Sequence, residues 1–338
     1  MAKNKRITNE TVGLDIGSYS LKVVSLEKRA ETQTLRAYNI KSVPWNIKET
    51  ELKKAIKELL KGAELSPSEV NLSLSGPDVI VRFVNLPKMK KDQLESALVY
   101  EAEKYIPFSV NEVVLDSIII GEIQEHGQMK VLLAAAKREL VDARIRLLSE
   151  LGIGINILDI APFAVYNAFI RSHELPAEEV SAFLNIGHSQ TDVLVFSDGM
   201  PCFMRQIQIG GKNITDLISR ELSVSEDEAE KAKSVPDESL GDDVRAIQIQ
   251  VIKEIVNELH LSFGYFENRY NKRVSKIYCS GGAVSQKDKI ALIGKELGMD
   301  IKGWDPIGRI KLDETIPEEE ILSVSPQLAV AIGLALRT

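Results

Sequence analysis

A chain of 338 residues, 44% hydrophobic and 27% charged, has the composition of a soluble globular protein and is long enough for two lobes of ordinary domain size. A net charge of −7, with no basic stripe carrying interleaved aromatics, argues against nucleic acid as a partner. No run approaches the roughly 20 apolar residues of a membrane span; the polar segment Met1 to Thr11, with Lys3, Lys5 and Arg6, is no signal peptide; and the four histidines lack metal-ligand spacing.

The first element of the chain recurs later in it. Residues 12–26 read VGLDIGSYSLKVVSL and residues 182–196 read AFLNIGHSQTDVLVF. Without a gap, Asp15 falls on Asn185, Ile16 on Ile186, Gly17 on Gly187, Lys22 on Asp192 and Val23 on Val193. Each copy is an apolar strand, a polar turn with glycine and a second apolar strand, the pattern of a β-hairpin. Between the copies, Glu49 to Gly62 reads as a helix with Leu52, Ile56, Leu59 and Leu60 on one face. Val70 to Leu74 and Val79 to Leu86 read as strands split by the Gly76-Pro77 turn. Lys91 to Tyr105 reads as a helix stopped by Pro107. Ser117 to Glu122 and Lys130 to Ala136 read as strands around a turn at Glu125 to Gly127. A helix over Arg138 to Glu150 ends at Gly152, and Pro162 to Ile170 begins another, with proline at a tolerated early position.

After the second copy come a strand over Met204 to Ile209, the Gly210-Gly211 turn and a helix over Ile214 to Leu222. Glu226 to Lys233 is a short acidic helix, Gly241 to Asp243 punctuates, and a long helix runs to about Tyr270 with Ile247, Val251, Ile255, Leu259 and Phe263 at helical spacing. Val274 to Ser280 is a strand meeting Gly281-Gly282, and Gln327 to Leu336 is a nearly apolar closing helix. Cys202 and Cys279 fall in strand-like runs and read as reduced, buried thiols.

The two turns carry the chemistry of phosphate binding. Gly17 lets a ligand approach the backbone, and Ser18 and Ser20 supply hydroxyl donors. Lys22 begins the return strand and can reach phosphate oxygens as a point charge. Asp15 ends the incoming strand and can hold Mg²⁺ through water. The second turn offers Gly187, His188, Ser189, Gln190 and Thr191. Two such hairpins facing each other would clamp a triphosphate from both sides. Gly281 and Gly282 either form a plain tight turn or let a flat ring approach the backbone. Glu230 and Lys233, at i,i+3, are either a surface ion pair or a clamp on ribose and base.

The order DIGSYSLK, NIGHSQTDV, AEKAK, YCSGGA resembles the phosphate-1, phosphate-2, ribose-contact and adenosine motifs of the actin, Hsp70 and FtsA superfamily. Within it, SGPDVIVRFVNLPKM at 75–89, YEAEKYIPFSVNEVVLD at 100–116, DIAPFAVYNAF at 159–169 and QLAVAIGLALR at 327–337 resemble the PilM family, the cytoplasmic actin-like proteins of type IV pilus assembly. The resemblance implies an α/β, actin-like fold of two lobes, each with a five-stranded RNase H-like core. It implies a first lobe over 1–175 plus 318–338, with an FtsA-like 1C insertion at about 39–147, and a second lobe over 176–317, with a small 2B insertion at about 226–270. It implies ATP and Mg²⁺ as ligands. Asp15, Gly17, Ser18, Ser20 and Lys22 would face phosphates and metal, with Gly187 and Thr191 in the second loop, Glu230 and Lys233 on ribose and base, and Gly281 and Gly282 beside adenine. As partner it implies the cytoplasmic N-terminal peptide of a PilN-like inner-membrane protein, with a motif like I-N-L-L-P, held between 1A and 1C. Val84, Leu86, Met89, Tyr105, Ile106 and Pro107 would offer the apolar edge, unless they fill the 1C core. The protein would then be cytoplasmic, peripheral on the inner membrane only through that partner, with self-association left open.

Two positions depart from the superfamily pattern. The second loop begins with Asn185 where an aspartate is usual, and Ala161 stands where relatives often carry a glutamate that orients water. Both changes favour weak or absent hydrolysis and argue against a sugar or acetate kinase. The alternative is an FtsA-like, filament-forming, membrane-associated ATPase; such proteins usually end in an amphipathic helix, and none is read after Leu336-Arg337-Thr338.

Overall fold

The structure is a computed structural model, describing residues 10–29, 32–123, 127–173, 179–234, 241–284 and 287–337. Met1, Lys3, Lys5, Arg6, Glu125 and Thr338, named above, lie outside the described residues.

Two sheets carry the two lobes. In the first, β1 (Glu10–Ile16), β2 (Ser20–Arg29) and β3 (Thr32–Ser42) form an antiparallel meander, and β4 (Glu69–Leu74) and β8 (Gly154–Ile160) run parallel to β1. The order is β14-β3-β2-β1-β4-β8, with the two-residue β14 (Lys311–Leu312) added beside β3. In the second, β9 (Val180–Ile186), β10 (Thr191–Ser197) and β11 (Met200–Ile207) repeat the meander, and β12 (Lys276–Ser280) and β13 (Ile301–Gly303) repeat the parallel pair, in the order β11-β10-β9-β12-β13. Setting β14 aside, the two orders are the same, so the sequence repeat is the trace of a duplicated sheet.

Both sheets are covered on two faces, which is why central strands such as β9 and β10 are buried almost without alternation. Helices α1 (Glu49–Gly62) and α3 (Arg138–Ser149) bury Leu52, Ile56, Leu59, Leu147 and Leu148 against Leu14, Leu21 and Val23. The opposite face packs on α4 (Ala161–Ser172) and α10 (Ala329–Ala335). That core also takes Phe183, Leu194, Phe196 and Trp304 from the second lobe, so the lobes share one hydrophobic core behind the cleft. Within the first lobe α4 and α10 approach closely: a Cβ on Gly333 would lie 1.7 Å from the Ala164 carbonyl oxygen. On the far face of the second sheet, α7 (Gly241–Tyr270) and α8 (Lys287–Leu297) bury Ile252, Leu259, Phe266 and Ile293.

A third, antiparallel sheet of order β5-β7-β6 is built from β5 (Val79–Pro87), β6 (Val113–Ile123) and β7 (Gln128–Lys137), with α2 (Lys91–Ala102) packed on it. This corrects the insertion boundary read from the sequence. Residue 39 lies inside β3, and α1 and β4 belong to the first sheet, so the inserted unit begins after β4. Residues 311–317 likewise leave the second lobe: β14 pairs with β3, and Arg36 bonds Asp313. The insertion in the second lobe is α6 (Glu226–Ser234) with only the first half of α7. Val244, Ile247 and Val251 pack on α5 (Gly211–Leu222) and α6, whereas the second half of α7 lies on the sheet. The helix expected to reach Tyr105 ends at Ala102, and a turn follows in which Ile106 N–H donates to the Ala102 carbonyl at 3.0 Å. Both cysteines are free; Cys279 is buried and Cys202 half-buried, and burial pushes each thiol up to about 12.

Candidate functional site

The two hairpins have the same construction. In the first, Gly17 N–H donates to the Ser20 carbonyl at 3.2 Å; in the second, Gly187 N–H donates to the Gln190 carbonyl at 2.9 Å. Asp15 sits across from Lys22, and Asn185 sits across from Asp192, as the ungapped repeat requires. Lys22 Nζ donates to Asp15 Oδ2 at 3.0 Å and to the Ser20 carbonyl at 3.2 Å, which fixes the ammonium beneath the loop. Gly17 leaves that space open: a Cβ there would lie 2.9 Å from Lys22 Nζ.

The loop tips meet across the cleft. Ser18 Oγ donates to Ser189 Oγ at 3.1 Å, and the Tyr19 and His188 rings stack with centroids 4.7 Å apart. Behind them lies a cavity of about 310 Å³ lined from both lobes. It brings together Asp15, Gly17, Ser18, Ser20, Lys22, Gly187, Glu230, Lys233, Gly281 and Gly282 from the sequence reading, along with Ala161 and Asn185. Thr191 is the exception. It is fully buried and its hydroxyl donates to the Ile209 carbonyl at 2.8 Å, because alternation along β10 turns it under the hairpin, away from the cavity.

The rear wall is held by hydrogen bonds. Lys233, 6% exposed, donates from Nζ to Glu230 Oε2 at 2.6 Å, Thr215 Oγ1 at 3.0 Å and the Gly211 carbonyl at 3.3 Å. Burial lowers the Lys233 pKa and the Glu230 carboxylate opposes that shift. Gly281 has φ +112°, and a Cβ would lie 2.3 Å from the Ile186 carbonyl oxygen, so this turn requires glycine. Lys289 and Gln327 also line the cavity. Neither stood out in the sequence, since no local pattern marks a lysine on α8 or a glutamine before α10 as a cleft residue.

Asp192, 4% exposed, is the most perturbed acid. Burial pushes its carboxyl up to about 6, Asp15 adds to the rise, and the facing amides of Gln190, Asn185 and Gln206 oppose it. The bond from Gln190 Nε2 to Asp192 Oδ1 is 2.6 Å. Burial, with Lys233 next, lowers His188 to about 4, so its ring is neutral at pH 7. The folded state holds the Asp192 proton more tightly than the unfolded chain does. This carboxyl therefore weakens the fold as pH rises from about 4 to about 6, while His188 acts in the opposite sense over the same window. Asp192→Asn is expected to match the parent near pH 4. Above pH 6 it is expected to gain roughly 1–3 kcal/mol, read by denaturant melts across pH. A gap that does not change with pH would refute the assignment.

The expected partner edge is only partly available. Val84, Leu86 and Ile106 are buried with Leu94, Leu98 and Val131 between β5, β7 and α2, where alternation on β5 points them into the core. Met89 and Tyr105 are half-buried against that core, and Pro107 is exposed.

Two lobes built on the same sheet order, sharing a core and enclosing a cleft between matched hairpin loops, define an actin-like protein. The chain belongs to the family of the type IV pilus assembly protein PilM, whose profile matches residues 13–338. It is similar to a chain of the PilM-PilN type IV pilus biogenesis complex at 29% identity and a TM-score of 0.88, over 97% of this chain and 98% of that one. The ethanolamine utilization protein EutJ from Carboxydothermus hydrogenoformans shares the fold at 12% identity and a TM-score of 0.57, over 97% and 90% of the two chains. The diol dehydratase-reactivating factor in nucleotide-free form does so at 10% identity and 0.58, over 97% and 99%.

Proposed function

We propose that this pilus assembly protein binds Mg-ATP in the interlobe cleft as a structural ligand. We propose also that it presents the loaded form to the N-terminal cytoplasmic segment of a PilN-like membrane protein. The observation that carries the nucleotide reading is the pair of matched hairpin loops, 3.1 Å apart at Ser18 and Ser189, with the Lys22 ammonium under the first. The donor set fits a triphosphate. Lys22, Lys233 and Lys289 supply positive charge, and the glycines leave backbone N–H groups approachable. The buried His188 Nε2 has no hydrogen-bond partner, which leaves a polar atom for a ligand.

Lys22 and the hydroxyls of Ser18 and Ser20 would hold the terminal phosphates, and the Glu230–Lys233 pair would hold ribose and base, with Gly281 and Gly282 beside the ring. Mg²⁺ supplies neutralisation of phosphate charge. Asp15 would hold it through water, and no group of three or more metal-ligating side chains occurs among the described residues. Binding would close the lobes and stabilise the fold by mass action.

The partner reading rests on family membership and on the similarity to the PilM-PilN complex. No described helix is long and apolar enough to cross a membrane, so attachment to the inner membrane would run through the partner. Of the docking edge, Pro107 is exposed and Met89 and Tyr105 are half-buried. A labelled peptide carrying an I-N-L-L-P-like motif is expected to bind the ATP-loaded protein. Met89→Asp is expected to weaken it about tenfold, the loss typical of one interface anchor, with ATP affinity unchanged. No change in peptide anisotropy on adding the loaded parent protein would remove the partner assignment and leave the nucleotide assignment standing.

A further inference from the structure

A second groove lies away from the nucleotide cleft, between the third sheet and the second lobe. Its volume is about 940 Å³, against 310 Å³ for the cleft. One wall is five consecutive residues of β5, Val81 to Asn85; the other is β11 from Cys202 to Arg205, with the outer face of α7.

Three properties of this groove point the same way. Both flanking strands end their sheets: among the described residues β5 pairs with β7 alone and β11 with β10 alone. Where they run closest the two strands lie within 8 Å, too near for a third strand between them, so an extended occupant lies along the rim of the groove. Next, α7 leaves Leu261 61% exposed and Tyr265 52% exposed at the groove, although its opposite face is buried in the second core. Phe83, Phe203 and Tyr270, half-buried against the cores, line the groove beside them. Last, the lining contains Arg82, Lys104, Arg205 and Arg269 and, among the described residues, no acidic side chain, in a chain of net charge −7. Glu101 pairs with Lys104 and Glu258 with Arg205. Arg82 and Arg269 bond instead to neutral oxygens, the Val81 carbonyl and the Tyr265 hydroxyl, each at 3.0 Å.

We infer that this groove docks an extended polypeptide segment carrying carboxylates beside aromatic or aliphatic side chains. Five residues of β5 give it roughly 17 Å of edge, enough for five or six extended residues at about 3.3 Å each. Arg82 and Arg269 take the carboxylates, and planar guanidiniums suit that geometry. The rings take the apolar side chains. The groove shares Val84 and Tyr105 with the edge expected for the PilN-like segment but not Met89 or Pro107, and the partner inferred here is a different one.

A phage-displayed random dodecapeptide library panned on the full-length protein tests this. Enriched sequences are expected to hold at least one Asp or Glu next to Phe, Tyr, Leu or Ile. Synthetic copies are expected to lose tenfold or more in affinity for the double variant Arg82→Glu, Arg269→Glu. Both arginines are exposed, so the variant keeps the parent's melting temperature, and Arg82→Lys retains most of the binding. The variant keeps its affinity for the I-N-L-L-P-like peptide, which separates this result from any failure of that reading. Basic or uncharged consensus sequences would overturn the inference, as would binding that survives the charge reversal or competes with the I-N-L-L-P-like peptide. So would arginine-dependent binding to phosphatidylglycerol vesicles with no peptide enriched.

Discussion

Restoring two acids to the cleft, by Asn185→Asp with Ala161→Glu, is expected to raise steady-state phosphate release from ATP by about 10²–10⁴ over the parent. Hydrolysis depends on orienting a water and on placing charge where it develops in the transition state. Ala161 lines the cavity and has no polar atom. Asn185 can hydrogen-bond a water but brings no charge. The groups that could substitute are compromised. His188 is buried and lowered to about 4, so it is a neutral and weak base. Asp192 is already engaged by Gln190 at 2.6 Å and is partly protonated near pH 6. The single change Asn185→Asp sets a second carboxylate directly across from Asp192 and is expected to help little below about pH 7, since two opposed carboxylates resist full ionisation. A parent protein turning over near one per second would defeat the prediction.

Lys22→Ala is expected to weaken Mg-ATP roughly tenfold to a hundredfold, the loss of one charge-assisted contact of about 1.5–3 kcal/mol. Two effects add. The ammonium is lost, and Asp15, which it pairs at 3.0 Å, loses that partner beside the phosphates. Titration calorimetry at fixed Mg²⁺ reads the change, and equal affinities would refute the phosphate role. Lys22→Arg preserves charge but needs more room than the space under Gly17 allows, so rescue is expected to be partial.

Much of the site could be read from the sequence because its information is local. An apolar strand, a glycine turn and a return strand specify a hairpin within about fifteen residues, and two copies without a gap fix the register of each. The overlay therefore implies that the two hairpins are equivalent, and the structure supplies the register they share: Asp15 across from Lys22, and Asn185 across from Asp192. The same holds for the amphipathic helix Glu49–Gly62, whose buried Leu52, Ile56 and Leu59 keep helical spacing.

What only the tertiary structure decided is where separate elements meet. Alternation turns Thr191 into the second lobe and Val84 and Leu86 into the third sheet's core, but a strand with two covered faces does not announce which face is which. The insertion boundary moved past β4 because that strand pairs in parallel with β1, Asn71 opposite Gly13, and no short-range signal encodes a long-range parallel pairing. Lys289 enters the cleft, and Asp192 acquires its proton near pH 6, only through burial created by packing. The groove between β5 and β11 exists only because two lobes bring two sheet edges face to face; each edge is set by its own hairpin partners, and the space between them by the core the lobes share.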